Sequence, residues 1–114
     1  MRRSPNATGP TTRLVAVDGR APVTILLLPA VVTHEQAGAC SRMLAQALRR
    51  VPESHAVADA SALDRFDSSA LAVLLECRRD ALAMGKTFGV RKLPPRLRAL
   101  ASLYGIEPLL PQEA

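Results

Sequence analysis

Hydrophobic residues along this chain switch between the alternating period of strands and the wider spacing of helices. Residues 14–17 and 23–28 are short runs rich in leucine and valine, as strands are, and Pro29 ends the second run. Asp18 and Gly19 are turn residues between the two runs. The pattern therefore predicts a β-hairpin near the amino terminus.

A first helix is predicted from residue 34 to about residue 49. Thr33 and Gln36 have the spacing of a capping box, in which each side chain accepts a hydrogen bond from the backbone amide of the other residue. Pro52 follows the last turn, since proline cannot continue a helix. The residues expected to face the core are Ala37, Cys40, Met43, Leu44, Ala47 and Leu48.

A third strand, residues 55–59, leads towards a second helix predicted over residues 68–84. Asp67 suits the N-cap position because its carboxylate can accept hydrogen bonds from the free amides of the first turn. Gly85 is typical of a left-handed C-cap. The stripe expected to face the core consists of Leu71, Leu74, Leu75 and Leu82.

The last predicted elements are a short strand at residues 87–90 and a third helix at residues 95–104. Pro94 suits the start of that helix, and Gly105 ends it. Its expected core residues are Leu97, Leu100, Ala101 and Leu103, and Ile106, Leu109 and Leu110 are expected to fold back as an apolar clip. The order β-β-α-β-α-β-α favours an α/β layer structure with some parallel strands.

A length of 114 residues suffices for one small domain. Residues 1–12 are expected to form a disordered leader, residues 13–111 the domain and residues 112–114 a tail. No apolar run typical of a signal peptide is present, and the most apolar segment, residues 23–32, is too short to span a bilayer. The expected location is the cytoplasm, with any membrane contact made through another protein.

The composition further limits which ligands the chain is expected to bind. The net charge of +5 hints at an acidic partner, but three aromatic residues and no recognised motif argue against nucleic-acid binding. Cys40 and Cys77 lie in predicted helices and neither is surrounded by a cluster of metal ligands, so buried free thiols are expected and a metal site is not. No glycine-rich phosphate cradle is present, and no cofactor is expected.

A hydrolase site could be assembled only from Ser68, one of two histidines and Asp59. The Gly-x-Ser-x-Gly motif is absent, and neither His34, in the first turn of a helix, nor His55, at the start of a strand, is expected beside the serine. Asp59 and Asp67 are explained as turn and cap residues, which leaves no acid–base pair. We therefore expect no enzymatic activity.

The most specific signal lies in residues 57–75. Asp59 and Ser61 follow the third strand as turn formers, whose side chains can bond to nearby backbone. The second helix then begins with two hydroxyl residues, Ser68 and Ser69, at the positive end of its dipole. Such a position suits a contact or a phosphate better than a core.

The run DASALDRFDSSALAVLL resembles the signature of STAS domains, the fold of bacterial anti-sigma-factor antagonists and of the cytoplasmic tails of sulfate transporters. That signature is a strand ending in Asp-x-Ser, a loop, and Asp-Ser/Thr-x-Gly-Leu opening a helix. The later run GKTFGVRKLPPRLRALASLYGIEPLLP is similar to MlaB-like members of the family, the STAS subunits of Mla phospholipid-transport ABC complexes. The resemblance covers about residues 51–111 and implies a single STAS domain, a small mixed β-sheet with helices packed on it.

The resemblance also implies a functional position, which is Ser68. A serine there is phosphorylated by a partner kinase in the anti-sigma antagonists, and a threonine there contacts the ATPase subunit in MlaB-like proteins. The glycine that the family has two residues later is Ala70 in this chain, a change worth up to about 1 kcal/mol in favour of the helix. The implied partner-binding surface is Ser68, Ser69, Ala70, Leu71 and Ala72, while Asp67, Asp59 and Ser61 are structural.

Two functions follow from the resemblance. In the first, the chain is a non-enzymatic subunit that binds the ATPase of an Mla-type ABC phospholipid transporter, peripheral at the inner face of the inner membrane. In the alternative, it is an anti-sigma-factor antagonist switched by phosphorylation of Ser68. The run LASLYG favours the first. The basic residues Arg91, Lys92, Arg96 and Arg98 are expected to form a solvated face, or else to contact an acidic protein surface or lipid headgroups.

Overall fold

The computed structural model describes residues 11–15 and 22–113. The elements in chain order are β1 (Thr11–Val15), β2 (Val23–Leu27), β3 (Val31–Val32), α1 (His34–Arg50), β4 (His55–Asp59), β5 (Arg65–Phe66), α2 (Ser69–Ala83), β6 (Thr87–Arg91) and α3 (Pro95–Leu103), followed by a 3-10 helix at Glu107–Leu109. Its strands and helices form the predicted α/β domain.

The main sheet has four strands in the order β1-β2-β4-β6. β1 is antiparallel to β2, with Val15 opposite Val23, which confirms the predicted pairing of the first two strands. β2, β4 and β6 run parallel to one another. β1 begins at Thr11, so the predicted leader is wrong for its last two residues. Residues 1–10 and the predicted turn at Asp18 and Gly19 lie outside the described residues.

The structure also has two strands that the hydrophobic pattern did not predict. β3 and β5 pair in parallel as a separate two-stranded sheet, with Val31 opposite Arg65 and Val32 opposite Phe66. Two residues are too few to show a strand period. Only their long-range pairing identifies them as strands.

The helices cover one face of the main sheet, where the core lies. β2, β4 and β6 contribute alternate residues to it, and each helix contributes an apolar stripe. The largest fully buried members are Leu26, Leu44, Leu48, Leu74, Leu97 and Leu110. The predicted buried thiols belong to the same cluster: burial raises the pKa of Cys40 to about 11 and, with smaller contributions from Asp80 and Cys40, that of Cys77 to about 12. Both thiols are therefore protonated at neutral pH.

Several residues predicted to face this core are exposed instead. Met43 is 39% exposed on α1, and Leu82 is 46% exposed in the last turn of α2, where Ala81 takes the buried position. Leu103 is 75% exposed at the end of α3, where Ala101 is buried. In the predicted clip, Leu110 is buried but Leu109 is 38% exposed. Helical spacing gives a direction around the axis but not the point at which the neighbouring layer ends.

The predicted tail is part of the sheet. Val90 N–H donates to the Pro111 carbonyl at 2.8 Å, and Glu113 N–H donates to the Val90 carbonyl at 2.7 Å. Gln112 thereby forms a parallel bridge with Val90 on the outer edge of β6. The prediction of a separate tail is wrong for residues 112 and 113, and Ala114 lies outside the described residues.

Candidate functional site

The three helices all begin at one edge of the main sheet. β2, β4 and β6 are parallel and lead into α1, α2 and α3 through connecting loops, the first of which contains β3 and the second β5. The carboxyl ends of the three strands and the N-termini of the helices therefore share that edge. The first two loops are tied together, since the amides of Asp64 and Arg65 both donate to the Ala30 carbonyl, at 2.8 and 2.9 Å. The stretch with the most specific sequence signal, residues 57–75, crosses this edge.

Asp67 organises the centre of the edge. The N-cap of α2 is Ser68, one residue after the predicted cap, but Asp67 still accepts from the first turn: its Oδ1 accepts the Ser69 N–H at 2.8 Å, and its carbonyl accepts the Ala70 N–H at 3.0 Å. Its other carboxylate oxygen, Oδ2, accepts the His34 N–H at 3.1 Å, at the start of α1. The hydrogen bonds to the carboxylate hold the pKa of Asp67 below its usual value, and the bond from the Ser69 N–H has the largest effect. One carboxylate therefore serves the N-termini of two helices.

The predicted contact residues separate into an exposed and a buried set. Ser68 is exposed and already has helical dihedral angles, Ser69 is half-buried, and Ala72 is exposed. Ala70 is 1% exposed and Leu71 3%, because their side chains belong to the core cluster. The surface that a partner can touch is therefore Ser68, Ser69 and Ala72. The methyl group that distinguishes Ala70 from glycine is directed into the core and not towards a partner.

Asp59 is an almost fully buried charge at the end of β4. Its Oδ2 accepts from Nε of Arg91 at 2.6 Å, and its Oδ1 accepts from the Ser61 N–H at 2.8 Å. Burial works to raise the pKa of Asp59, but the hydrogen bonds from Ser61 and the Arg91 guanidinium outweigh it and leave the pKa below the usual value. Because Arg91 is engaged in this way, it does not belong to the predicted solvated basic face.

A groove lies beside this centre, between β5 and the start of α3. The guanidinium carbon of Arg96 lies 5.0 Å from the centroid of the Phe66 ring, within cation–π distance. The groove is lined by Leu63, Asp64, Phe66, Pro94, Pro95 and Arg96. Sequence reasoning missed it, because Phe66 is an isolated aromatic between charged residues and shows no periodicity.

The histidines take positions that argue against a hydrolase triad. His34 comes to this edge, which the sequence did not predict, with Nδ1 3.6 Å from Asp67 Oδ2. His55 starts β4 at the opposite edge, where it contacts Thr87 and Glu113. Asp59 pairs with Arg91 instead of a histidine. Among the described residues no group of three His, Cys, Asp or Glu side chains could hold a metal ion.

None of the helices in the described part of the chain has the length and apolar character needed to cross a membrane. The described site is thus a polar helix edge on a small α/β domain. Its exposed groups are a serine hydroxyl, a small helix surface and several cations.

Comparison with solved structures shows that this fold recurs. The Bacillus anti-sigma factor antagonist SpoIIAA, in its unphosphorylated form, matches with a TM-score of 0.65 at 15% identity, over 91% of this chain and 89% of that chain. An anti-sigma factor antagonist from Mycobacterium paratuberculosis matches with a TM-score of 0.68 at 23% identity, over 91% and 85%. A putative antagonist from Thermotoga maritima matches with a TM-score of 0.69 at 17% identity, over 89% and 84%.

Sequence comparison identifies the family. No curated protein matches the chain significantly. The family model described as "Mlab, STAS domain" matches residues 15–111, which is nearly the whole described domain. The chain therefore belongs to the MlaB-type STAS-domain family.

Proposed function

We propose that this protein is a non-enzymatic STAS subunit that binds and supports the ATPase of an ABC phospholipid transporter of the Mla type. The match of residues 15–111 to the MlaB-type family model carries the proposal. In that role the protein is cytoplasmic and lies at the inner face of the inner membrane only through the complex. The process served is the maintenance of lipid asymmetry in the outer membrane.

The contact surface in this proposal is the start of α2. Ser68 offers an exposed hydroxyl that can donate or accept a hydrogen bond, and the small side chain of Ala72 one turn later permits close approach. Asp67 holds the backbone of this turn through its bonds to two helices, so the surface loses little conformational freedom on binding.

The subunit would act on the ATPase through linkage. A subunit that binds the competent state of the ATPase more tightly than the idle state shifts the population towards the competent state. No residue of this chain needs to enter the ATPase active site for this effect. The free energy by which the subunit shifts this equilibrium equals the difference between its binding free energies for the two states.

An alternative function is an anti-sigma-factor antagonist switched at Ser68. The observation that favours it is the similarity of the fold to SpoIIAA in its phosphorylated form, with a TM-score of 0.60 at 15% identity. A phosphate on Ser68 would add up to about two negative charges next to the Asp67 carboxylate. The helix dipole would make that charge tolerable within the fold, so the repulsion would act mainly on a partner.

The test is an affinity capture from the native cell with three baits, read by mass spectrometry. The baits are the wild type, Ser68→Asp, and Ser102→Asp as a matched control. Ser102 is also an exposed helical serine, but it lies near the end of α3, about 10 Å along the helix axis from its first residue. We expect the wild type and Ser102→Asp to recover an ABC ATPase with its permease, and Ser68→Asp to recover neither.

Two other outcomes would change the assignment. Equal recovery of the ATPase by Ser68→Asp would remove the start of α2 from the contact surface. Recovery of an anti-sigma factor or serine kinase, together with phosphate on native Ser68, would replace the transporter role with the alternative.

A further inference from the structure

We infer that the groove between β5 and the start of α3 is a second docking point, which receives a carboxylate and an adjacent aliphatic side chain from a protein partner. In one respect the inference rests on the proposed function, since the partner is taken to be the ATPase. The chemistry of the groove itself depends on residues of this chain alone.

The lining of the groove favours recognition through side chains. Leu63 and Phe66 contribute apolar surface on one side, and Pro94 and Pro95 on the other. Proline has no backbone N–H, so this wall cannot donate the ladder of hydrogen bonds that strand addition requires. An aliphatic side chain can instead pack against the rings and the leucine.

The charges around the groove favour an acidic partner. In the two segments that border it, residues 61–68 and 91–98, Arg91 is paired with Asp59, and the Asp67 carboxylate accepts two backbone amides. Among the charged side chains of these segments, those that remain exposed are Asp64, Arg65, Lys92, Arg96 and Arg98. The Asp67 side chain is 42% exposed and keeps its charge, so four exposed cations stand against two carboxylates and the surface is positive, which steers and selects a negative partner.

Arg96 is the cation best placed to anchor that partner. Its guanidinium lies over the ring of Phe66, and this contact restrains an otherwise flexible side chain. Phe66 itself is two residues before Ser68 in the sequence. A guanidinium stacked on a ring keeps N–H groups at its edge for a carboxylate, which it can bind with two parallel hydrogen bonds. Arginine held in this way is a common centre of binding energy at interfaces.

Arg98 provides a matched control on the same helix. It is exposed like Arg96, but two residues along an α-helix correspond to a rotation of about 200°, and it does not line the groove. Reversing either charge changes the net charge of the protein by the same amount. A difference between the two variants therefore reports position and not overall charge.

The experiment is a calorimetric titration of the purified Mla-type ATPase of the same organism with wild type, Arg96→Glu, Arg96→Lys and Arg98→Glu, at low and moderate salt. We expect Arg96→Glu to weaken binding by about tenfold or more, and Arg98→Glu by no more than about twofold. Arg96→Lys keeps the positive charge but lacks the paired N–H donors of the guanidinium, so its affinity should lie between those of Arg96→Glu and Arg98→Glu. Thermal unfolding checks that each variant is folded.

The outcomes separate this inference from the proposed function. If the wild type binds the ATPase and Arg96→Glu binds equally well, the docking point is wrong while the proposed function stands. Equal weakening by Arg96→Glu and Arg98→Glu would reduce the effect to overall charge and also overturn the docking point. If the wild type does not bind the ATPase, the proposed function fails and the groove is judged by a separate probe.

That probe is the acetylated peptide Glu-Leu-Glu-Leu-Glu, with Lys-Leu-Lys-Leu-Lys as its control, observed by amide chemical shifts of the labelled protein. Shifts confined to Leu63, Phe66 and Arg96, seen only with the acidic peptide and lost in Arg96→Glu, would support the groove. Absence of localised shifts would overturn it. A sedimentation assay with phosphatidylglycerol vesicles tests for a lipid surface instead. If the vesicles capture the wild type, and if Arg96→Glu and Arg98→Glu reduce that capture equally, the cations bind lipid and the protein docking point is wrong.

Discussion

Asp67 and His34 join the starts of two helices across 33 residues of sequence. The His34 N–H donates to Asp67 Oδ2 at 3.1 Å, while Oδ1 of the same carboxylate accepts the Ser69 N–H at 2.8 Å. Because the carboxylate caps α1 and α2 together, it also sets the position of the exposed Ser68. The same residue thus links helix stability to the geometry of the proposed contact surface.

Replacing Asp67 should therefore loosen both helices. Asp67→Ala leaves the amides of His34 and Ser69 without their acceptor, so amide exchange should accelerate at both positions and the unfolding midpoint should fall. Asp67→Asn keeps one acceptor oxygen and should protect only one of the two amides. Exchange measured by NMR checks this, with Asp64→Ala as a control that removes an exposed carboxylate from the same loop. Faster exchange at Ser69 alone would show that the bond to α1 contributes nothing.

The pair formed by Asp59 and Arg91 should make stability depend on acid pH. The pKa of Asp59 is lower in the folded than in the unfolded protein, so its contribution is complete above about pH 4 and is lost as the pH falls through the folded pKa. At neutral pH, Asp59→Asn should lower the free energy of unfolding by about 2–3 kcal/mol, because it weakens a buried charge pair.

Urea unfolding of the wild type and Asp59→Asn between about pH 2 and pH 7 measures this contribution. The difference between the two proteins should shrink below about pH 4. A difference that stays constant across the range would mean that Asp59 stabilises the fold through packing and not through its charge. Asp64→Asn serves as the control for an exposed carboxylate.

Two leucines of α2 should differ sharply in their contribution to stability. Leu74 is fully buried, so Leu74→Ala should lower the free energy of unfolding by about 2–5 kcal/mol. Leu82 is 46% exposed, and Leu82→Ala should cost less than about 1 kcal/mol. Chemical denaturation of both variants checks the register of the helix. Similar losses for the two would contradict the observed end of the core.

Gly89 should be needed for the attachment of the carboxyl-terminal residues to β6. A Cβ atom at this position would collide with the side chain of Glu113, which crosses it to reach His55 Nε2 at 3.0 Å. Gly89→Ala should therefore displace the Glu113 side chain and accelerate exchange of the Glu113 amide, which donates to Val90. Loss of the contact with His55 should appear as a change in the imidazole resonances.

A double-mutant cycle tests whether the Glu113 side chain causes the effect of Gly89→Ala. If displacement of the Glu113 side chain is the whole effect, Gly89→Ala should cost nothing further in a Glu113→Ala background. An equal cost in both backgrounds would instead locate the effect in the strand backbone. Unfolding midpoints of the four proteins are sufficient for the comparison.

Much of the fold followed from local patterns. The bounds of β4 and α1 agree with the prediction to within a residue at each end, and Gly85 and Gly105 have the positive φ angles that helix ends favour. Alternation within a strand, apolar spacing within a helix, and end residues all act over a few positions, so the sequence displays them directly. The signature at residues 59–75 identified the family in the same way, because its residues are contiguous.

The sequence by itself determined the order of the four main strands and three helices, the family, and the exposure of a serine at the start of α2. Only the tertiary structure decided which distant groups meet: His34 with Asp67, Arg96 with Phe66, and Glu113 with His55. It also decided that Ala70 and Leu71 are buried while Leu82 and Leu103 are not. The physical reason is that burial and pairing depend on what the neighbouring layer supplies at each point, and a helical or strand period contains no information about where that layer begins and ends.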